Sequence, residues 1–430
     1  MVAFTLPSWW QRRTNQPWCR TAMGGGPSLE GAVEATVREL GNVGDADLAL
    51  VFASTSYGSD LPRLMPLLRE RLKARHWLGC AGGGVIGTSA DGTPQEREQE
   101  PALSITLLRL PGAEIHPFAI DTTALPDLDA PPAPWIEAVG LDPAAAPSMV
   151  LLIDPTCTAI NDLINGLDYS YPRTEKIGGV AGQHTASHGS LLLEDGVHGG
   201  AIGCVIGGGW RLDPVVAQGC RPIGPVFEVE AAQRNVVLRL TSAGPSGTPV
   251  ACLQAILADL SPEDRERVRH SLFLGVGRSS FDLPLTPTDP ERPESSGQDA
   301  FLVRNLIGVD PRTGSLAVAE RMRQGQRVQF QLRDGTTSLQ EERQLLSTER
   351  RRAPDPLAAL LFACLGRGRG LYGKPDGDVS LCRELFPELP LSGAFCNGEI
   401  GPVSGTTHLH GYTASWGFLV PDRPEASPAT

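Results

Sequence analysis

The sequence predicts an α/β fold of two lobes, built from internal repeats and mixed β-sheets. A four-layer αββα sandwich is the alternative arrangement of the same elements. Three observations lead there. Strand signals and amphipathic-helix signals alternate along most of the chain. One pattern, a strand, a helix, a glycine-rich strand end and two further strands, comes back at later points. Glycine (49) and proline (37) are abundant while aromatics make up only 6%, which favours tight turns and close backbone packing over helical bundles.

The first copy opens with a strand at "WCRTAM" (18–23). "SLEGAVEATVREL" (28–40) follows with apolar spacing near the helical period and Ser28 as its cap. "DADLALVFAS" (45–54) is a buried strand and "DLPRLMPLLRERLKA" (60–74) an amphipathic helix. "HWLGCAGGGVIG" (76–87) is a short strand ending in a glycine turn, before a polar, acidic loop at 88–100. "ALSITLLRL" and "AEIHPFAI" then read as a hairpin around Pro111-Gly112. The second copy has a strand at 147–155, a helix at 159–167, a glycine-rich strand at 176–182 and a hairpin at 199–218. A shift of 99 residues superposes Gly79 on Gly178, Gly83 on Gly182 and Ala102 on Ala201. A shift of 314 superposes Gly79, Gly84, Ile86 and Gly87 on Gly393, Gly398, Ile400 and Gly401, so the unit is used at least three times. Between the second and third copies lie strands at 235–240, 272–277, 300–310 and 327–334, helices at 248–260 and 261–272, and a Pro-rich polar segment at 280–299. The helix at 338–352 reads as exposed.

Length and charge narrow the function. A chain of 430 residues has room for two or three domains. Its 37 basic against 49 acidic residues give a net charge of −12, the wrong sign for a nucleic-acid binder. The N-terminus lacks a secretory pattern and no apolar run is long enough to span a membrane, so a cytoplasmic location is expected. Nine cysteines, none in a C-x-x-C pair, read as buried thiols rather than a disulfide framework.

Several motifs could carry chemistry. Gly82, Gly84 and Gly87 form a nominal G-x-G-x-x-G, but a polar loop follows where a phosphate site needs a helix N-terminus. "LGRGRGLYGKPDGD" (365–378) sets Arg367, Arg369 and Lys374 among glycines, either an anion nest or a solvated connection. His408 and His410 alternate on a strand near Cys396 and Glu399, without a zinc-typical spacing, so no metal is assigned. Cys396 and Cys220 are candidate nucleophiles only if a base activates them. Arg221, Arg304, Asp310, Arg333, Asp334, Asn397 and Glu399 each sit at a strand end or glycine turn, where ligand-reading side chains gather.

The segments "QGCRPIGPVFEV", "FLVRNLIGVD", "VQFQLRD", "LLFACLGRGRGLYG" and "FCNGEIGPVSGTTHLHGYTAS" resemble FIST-domain proteins. The resemblance spans residues 17–228 as the FIST N-terminal region and 229–421 as the FIST C-terminal region, with 1–16 and 422–430 as flexible ends. It implies an intracellular sensory module that binds a small molecule, with amino acids proposed for the family. It also implies a separate signalling protein as partner, since no output segment is recognised here. Some members bind haem, which makes a haem-based gas sensor one rival. An enzyme acting through Cys396 or Glu399 is another, and a scaffold acting through the Pro-rich segment a third. Ligand contacts are expected at Arg221, Arg304, Asn397, Glu399 and His410, with Cys396 against the ligand. Arg221 or Arg304 would hold a carboxylate, and Asn397 and Glu399 would orient the other end.

Overall fold

A computed structural model describes residues 16–244, 246–277 and 301–422; the Pro-rich segment and nearly all of both expected flexible ends lie outside the described residues. The first repeat unit comprises β1 (Trp18–Gly25), α1 (Leu29–Leu40), β2 (Ala46–Ser54), α2 (Leu61–Arg69), β3 (Ala74–Gly82), β4 (Gly84–Thr88), β5 (Pro94–Glu98) and β6 (Ala102–Arg109). Ser28 caps α1 by accepting from Gly31 N–H at 3.2 Å, and Leu29, Ala32, Val33, Thr36 and Leu40 turn one helix face to the sheet. All nine residues of β2 are buried, as expected of a strand covered on both sides.

The second unit repeats the order with β7 (Glu114–Ile120), α3 (Ala133–Val139), β8 (Ser148–Ile153), α4 (Ile160–Ser170), β9 (Glu175–Val180), β10 (Leu191–Leu193), β11 (Gly196–His198) and β12 (Ala201–Gly207). The third begins with β13 (Trp210–Ala217) and is interrupted at the place where the first two units enter their first helix. The insertion holds β14 (Cys220–Pro222), β15 (Phe227–Gln233), β16 (Val236–Thr241), α5 (Pro249–Asp259), α6 (Pro262–Ser271), β17 (Leu272–Gly277), β18 (Phe301–Asp310), β19 (Ser315–Val318) and β20 (Arg327–Arg333). The unit then resumes with α7 (Gly335–Arg352), β21 (Ala358–Cys364), α8 (Gly368–Tyr372), α9 (Gly377–Leu385), β22 (Leu391–Cys396), β23 (Glu399–Val403), β24 (Thr406–His410) and β25 (Ala414–Pro421).

The inserted strands close on themselves in the order β15-β16-β19-β18-β17-β20, because β20 pairs with both β15 and β17. This antiparallel barrel is filled by Phe227, Val237, Leu274, Leu316, Val328 and Phe330, with Cys252 and Ile256 of α5 packed in. It is the second lobe. The first lobe is three six-stranded sheets: β1-β6-β2-β3-β10-β11, β7-β12-β8-β9-β23-β24 and β13-β25-β21-β22-β4-β5. Each mixes one parallel pair, β2/β3, β8/β9 or β21/β22, with antiparallel neighbours. The inner faces of all three meet in one core that includes Phe52, Cys80, Leu152, Ile177, Phe362 and Cys396. Helices α1 and α2, α3 and α4, and α7 and α9 cover the outer faces.

The units are interlocked. Each sends the hairpin after its glycine turn into another unit's sheet: β4–β5 onto β22, β10–β11 onto β3, and β23–β24 onto β9. A ring of hydrogen bonds marks the centre. Gly182 N–H donates to Ala81 O at 2.8 Å, Asn397 N–H to Val180 O at 2.9 Å, and Gly83 N–H to Phe395 O at 3.0 Å. Glycine is required one turn earlier for packing. A Cβ on Gly79, Gly178 or Gly393 would lie 1.7, 1.8 or 1.9 Å from the carbonyl oxygen of Val51, Leu151 or Leu361 on the neighbouring strand.

The structure revises four local expectations. The two hairpins at 102–120 and 199–218 are not paired: β6 and β7 lie in different sheets, as do β12 and β13, and each short turn carries the chain from one unit to the next. The acidic loop at 88–100 contains strand β5, whose Glu96 is buried. The helix expected to be exposed, α7, buries Ser338, Glu342, Leu346 and Glu349. The boundary expected at 228/229 falls inside β15 of the barrel.

Candidate functional site

The glycine turn of the third unit places its side chains in two directions. Asn397 is exposed at the turn itself, where its Nδ2 donates to Ala181 O at 2.9 Å. Cys396 points back into the common core with no solvent exposure. Burial pushes its thiol well above the usual range, with neighbouring Cys80 and Glu399 adding to the effect, so the reactive thiolate is disfavoured. Cys220 is likewise pushed up to about 12, mainly by burial.

Glu399 and His410 are register partners on β23 and β24 and share one face of that ladder. Glu399 is fully buried; its Oε2 accepts from Thr413 N–H at 3.1 Å and its Oε1 has no hydrogen-bond partner. Burial pushes this carboxyl well above the usual range, against the Thr413 hydrogen bond, the Arg367 charge and the Cys364 thiol beside it, so the neutral acid is favoured; with Oε2 accepting from Thr413, the proton falls to Oε1. His410 is 3% exposed, and its Nε2 lies 3.0 Å from Gly401 O. A carbonyl only accepts, so Nε2 carries the hydrogen and Nδ1 is a bare acceptor, again without a partner. Burial lowers this imidazole to about 4, which keeps it neutral. The ladder therefore presents an orphan donor and an orphan acceptor side by side.

The two arginines expected to grip a ligand both hold acids of the chain itself. Arg221 on β14 pairs with Asp334 at 3.1 Å and Asp264 at 2.5 Å, on the far side of the barrel wall. Arg304 on β18 pairs with Glu320, and its Nη1 donates to Leu409 O at 3.2 Å, tying the barrel to edge strand β24. Thus Arg304 and His410 come together where the barrel meets β24, Glu399 lies beside His410 on the ladder, Cys396 lies behind them in the common core, and Arg221 and Asn397 stand apart. Two hollows are seen on the surface, of about 440 Å³ beside Gly26 and Arg97 and about 150 Å³ beside Asp168 and Arg173, and neither is lined by any of these six residues.

The seam holds further groups. Arg333, at the end of β20, donates from Nη1 to Gly366 O at 3.0 Å and lies over the Tyr412 ring at 4.1 Å. Phe273 packs edge-on against Tyr412 with centroids 4.7 Å apart. Arg333 has no carboxylate partner among the described residues, and its buried Nε is unpaired. Burial lowers its guanidinium below the usual value, only partly offset by Cys220, Tyr412 and Cys364 nearby. Sequence reasoning counted Arg333 among the strand-end polar residues but had no signal that it, unlike Arg221 and Arg304, lacks an acid.

The segment at 365–378, open between an anion nest and a solvated connection, is filled from within. Glu98 Oε1 accepts from Arg369 N–H at 2.9 Å, and Glu96 accepts from Gly377, Asp378 and Val379 N–H at 3.2, 3.0 and 3.0 Å. Arg367 is fully buried between Asp378 at 2.7 Å and Glu342 at 2.9 Å. His410 has its Nε2 on Gly401 O inside packed strands. No group of three metal-ligating side chains occurs among the described residues, and no described helix is long and apolar enough to cross a membrane.

Comparison with known proteins matches residues 47–242 to the FIST N domain and residues 249–402 to the FIST C domain. An uncharacterized protein of Mycobacterium tuberculosis is 31% identical over 382 residues, covering 88% of this chain and 92% of its own length. One of Mycobacterium bovis is 31% identical over 378 residues, covering 87% and 91%. An F-box/LRR-repeat protein of Arabidopsis thaliana is 44% identical over 48 residues, 11% of this chain and 9% of its own length. A solved cyanuric acid hydrolase from A. caulinodans covers 95% of this chain and 100% of its own at 9% identity, but its TM-score of 0.30 is too low to support a shared fold.

Proposed function

The chain belongs to the FIST family, whose domains are sensory modules of signal transduction, and on that premise we propose that it binds a small carboxylate-bearing metabolite, such as an amino acid, and signals through a separate protein in the cytoplasm. The observation that carries this reading is the orphan pair on one ladder, Glu399 Oε1 as donor and His410 Nδ1 as acceptor. Each buried polar atom left unpaired costs about 1–3 kcal/mol. A ligand hydroxyl, which both accepts and donates, would recover both costs. The buried, protonated thiols support binding over nucleophilic catalysis.

Native mass spectrometry of the purified protein tests the proposal directly. A small molecule retained in the gas phase and released on denaturation is expected, and its retention should fall in Glu399→Gln and His410→Phe. A bare polypeptide mass after gentle purification, unchanged on incubation with a panel of amino and hydroxy acids, would remove the sensor reading.

A further inference from the structure

We infer that Arg333 is the carboxylate-binding residue of this protein, at the seam between the inserted barrel and the third repeat unit. The inference rests on the small-molecule reading above and assigns its anion grip to a residue other than Arg221 and Arg304.

Charge balance comes first. Arg221 holds Asp334 and Asp264, Arg304 holds Glu320, and Arg367 holds Asp378 and Glu342. Each is a closed account of charge with nothing left for a ligand. Arg333 differs. Its surroundings are Cys220, Cys364, Phe273, Tyr412, the Gly366 carbonyl and a second cation, Arg367, with no carboxylate paired to it among the described residues. Arg333 is half-buried, with its Nε shut off from solvent, and a partly desolvated cation without a counter-charge binds an anion more strongly than a fully exposed arginine, because less solvation remains to be lost.

Geometry then selects the anion. A guanidinium offers two outward edges and two faces. The Tyr412 ring covers one face, at 4.1 Å, and Gly366 O takes Nη1. Left over is the edge formed by Nε and Nη2, whose two parallel N–H bonds match the two oxygens of a planar carboxylate. The sheltering ring plane restricts the approach to that edge, which suits a flat carboxylate better than a tetrahedral phosphate or sulfate. The opposite end of such a ligand has the Glu399 and His410 atoms available, since Cys364 lies beside both Arg333 and Glu399. Nε is shut off from solvent, so a ligand reaches this edge only when the packing over it moves.

Sodium acetate is the probe, with sodium phosphate and chloride at matched ionic strength as comparisons. Thermal midpoints and the Arg333 Nε–H NMR cross-peak are followed in titration. Acetate should raise the midpoint and shift the cross-peak in the wild type, and phosphate should do neither beyond chloride. Arg333→Met should weaken the acetate response about tenfold or more, the scale of a lost charge-assisted bidentate contact. Arg333→Lys keeps the charge and the stem but not the fork, so a several-fold weakening is expected, and this variant decides the matter if the methionine form does not fold. An undiminished acetate response in either folded variant overturns the inference, and an equal phosphate response overturns the choice of a planar anion. If native mass spectrometry finds a bound metabolite that Arg333→Met retains, the sensor reading survives and Arg333 alone is refuted. If the wild type retains no metabolite and ignores acetate, both fall.

Discussion

Arg367 and Arg333 meet at Gly366: one follows it in the chain, the other donates to its carbonyl. Arg367 is enclosed by two carboxylates and the Tyr372 hydroxyl at 2.7 Å, and Trp416 Nε1 donates to Glu342 at 2.8 Å behind them. Every polar atom of that guanidinium's partners is directed inward. Burial pushes the Asp378 carboxyl up, and the Arg367 charge and hydrogen bonds more than reverse it, so Asp378 stays ionised. Arg333 has the same chemistry, lies nearer the surface with only part of its side chain covered, and has no acid among the described residues. The difference teaches that a buried arginine must be read by what balances it: Arg367 fixes α7, α9 and the third unit together, whereas Arg333 remains available to an outside anion.

Truncation should separate the two most sharply. Arg367→Met strands Asp378 and Glu342 in the core and should cost about 3–5 kcal/mol, measured by urea unfolding. A loss below about 1 kcal/mol would mean that the cluster is not the fastening described. The next effect concerns the β23–β24 ladder. The His410 imidazole falls from 6.5 to about 4 on folding because it is buried. Its contribution is therefore complete above pH 6.5 and is lost as pH drops toward 4, where the unfolded chain is protonated and the folded one resists. The full loss is about 3 kcal/mol, and His410→Gln should flatten that limb of the stability-versus-pH curve. An unchanged slope would place His410 in a wetter setting. Smallest is Arg333→Met. Removing an unbalanced buried cation offsets the lost Tyr412 contact, so unfolding stability should stay within about 1 kcal/mol of wild type. A penalty on the Arg367 scale would erase the contrast.

Much of the first lobe was legible. The shifts of 99 and 314 residues proved to be true register: Gly79, Gly178 and Gly393 share one close contact, and Ile86 and Ile400 pair with Gly393 and Gly178 respectively. Periodicity could reveal these because each unit obeys the same local steric rules. It could not reveal the exchanged hairpins, since β4 is shaped alike whether it pairs with its own unit or with β22. For the same reason β6 and β7 read as a hairpin: a short turn at Pro111-Gly112 serves equally to reverse a chain and to step between sheets. Closure of the barrel depends on β20 meeting β17 and β15 at once, a long-range property. Glu399, His410 and Cys396 could be picked out from residue type and glycine context, but not that Cys396 turns into the core while Glu399 and His410 share one ladder face. Which arginine is paired could not be read either, because the acid of Arg304, Glu320, lies 16 residues along the chain and reaches it only through the fold of the barrel.

The exchanged hairpins have a practical consequence for dissecting this protein. A fragment ending at residue 242, the limit of the FIST N match, would retain β4–β5 but lose the strand they lie against, and β9 would be left with a bare edge. The two matched regions are lengths of sequence, not separable bodies. Neither half should be soluble when expressed alone, yet the two co-expressed should reassemble, because each supplies the strands that cover the other's exposed edges.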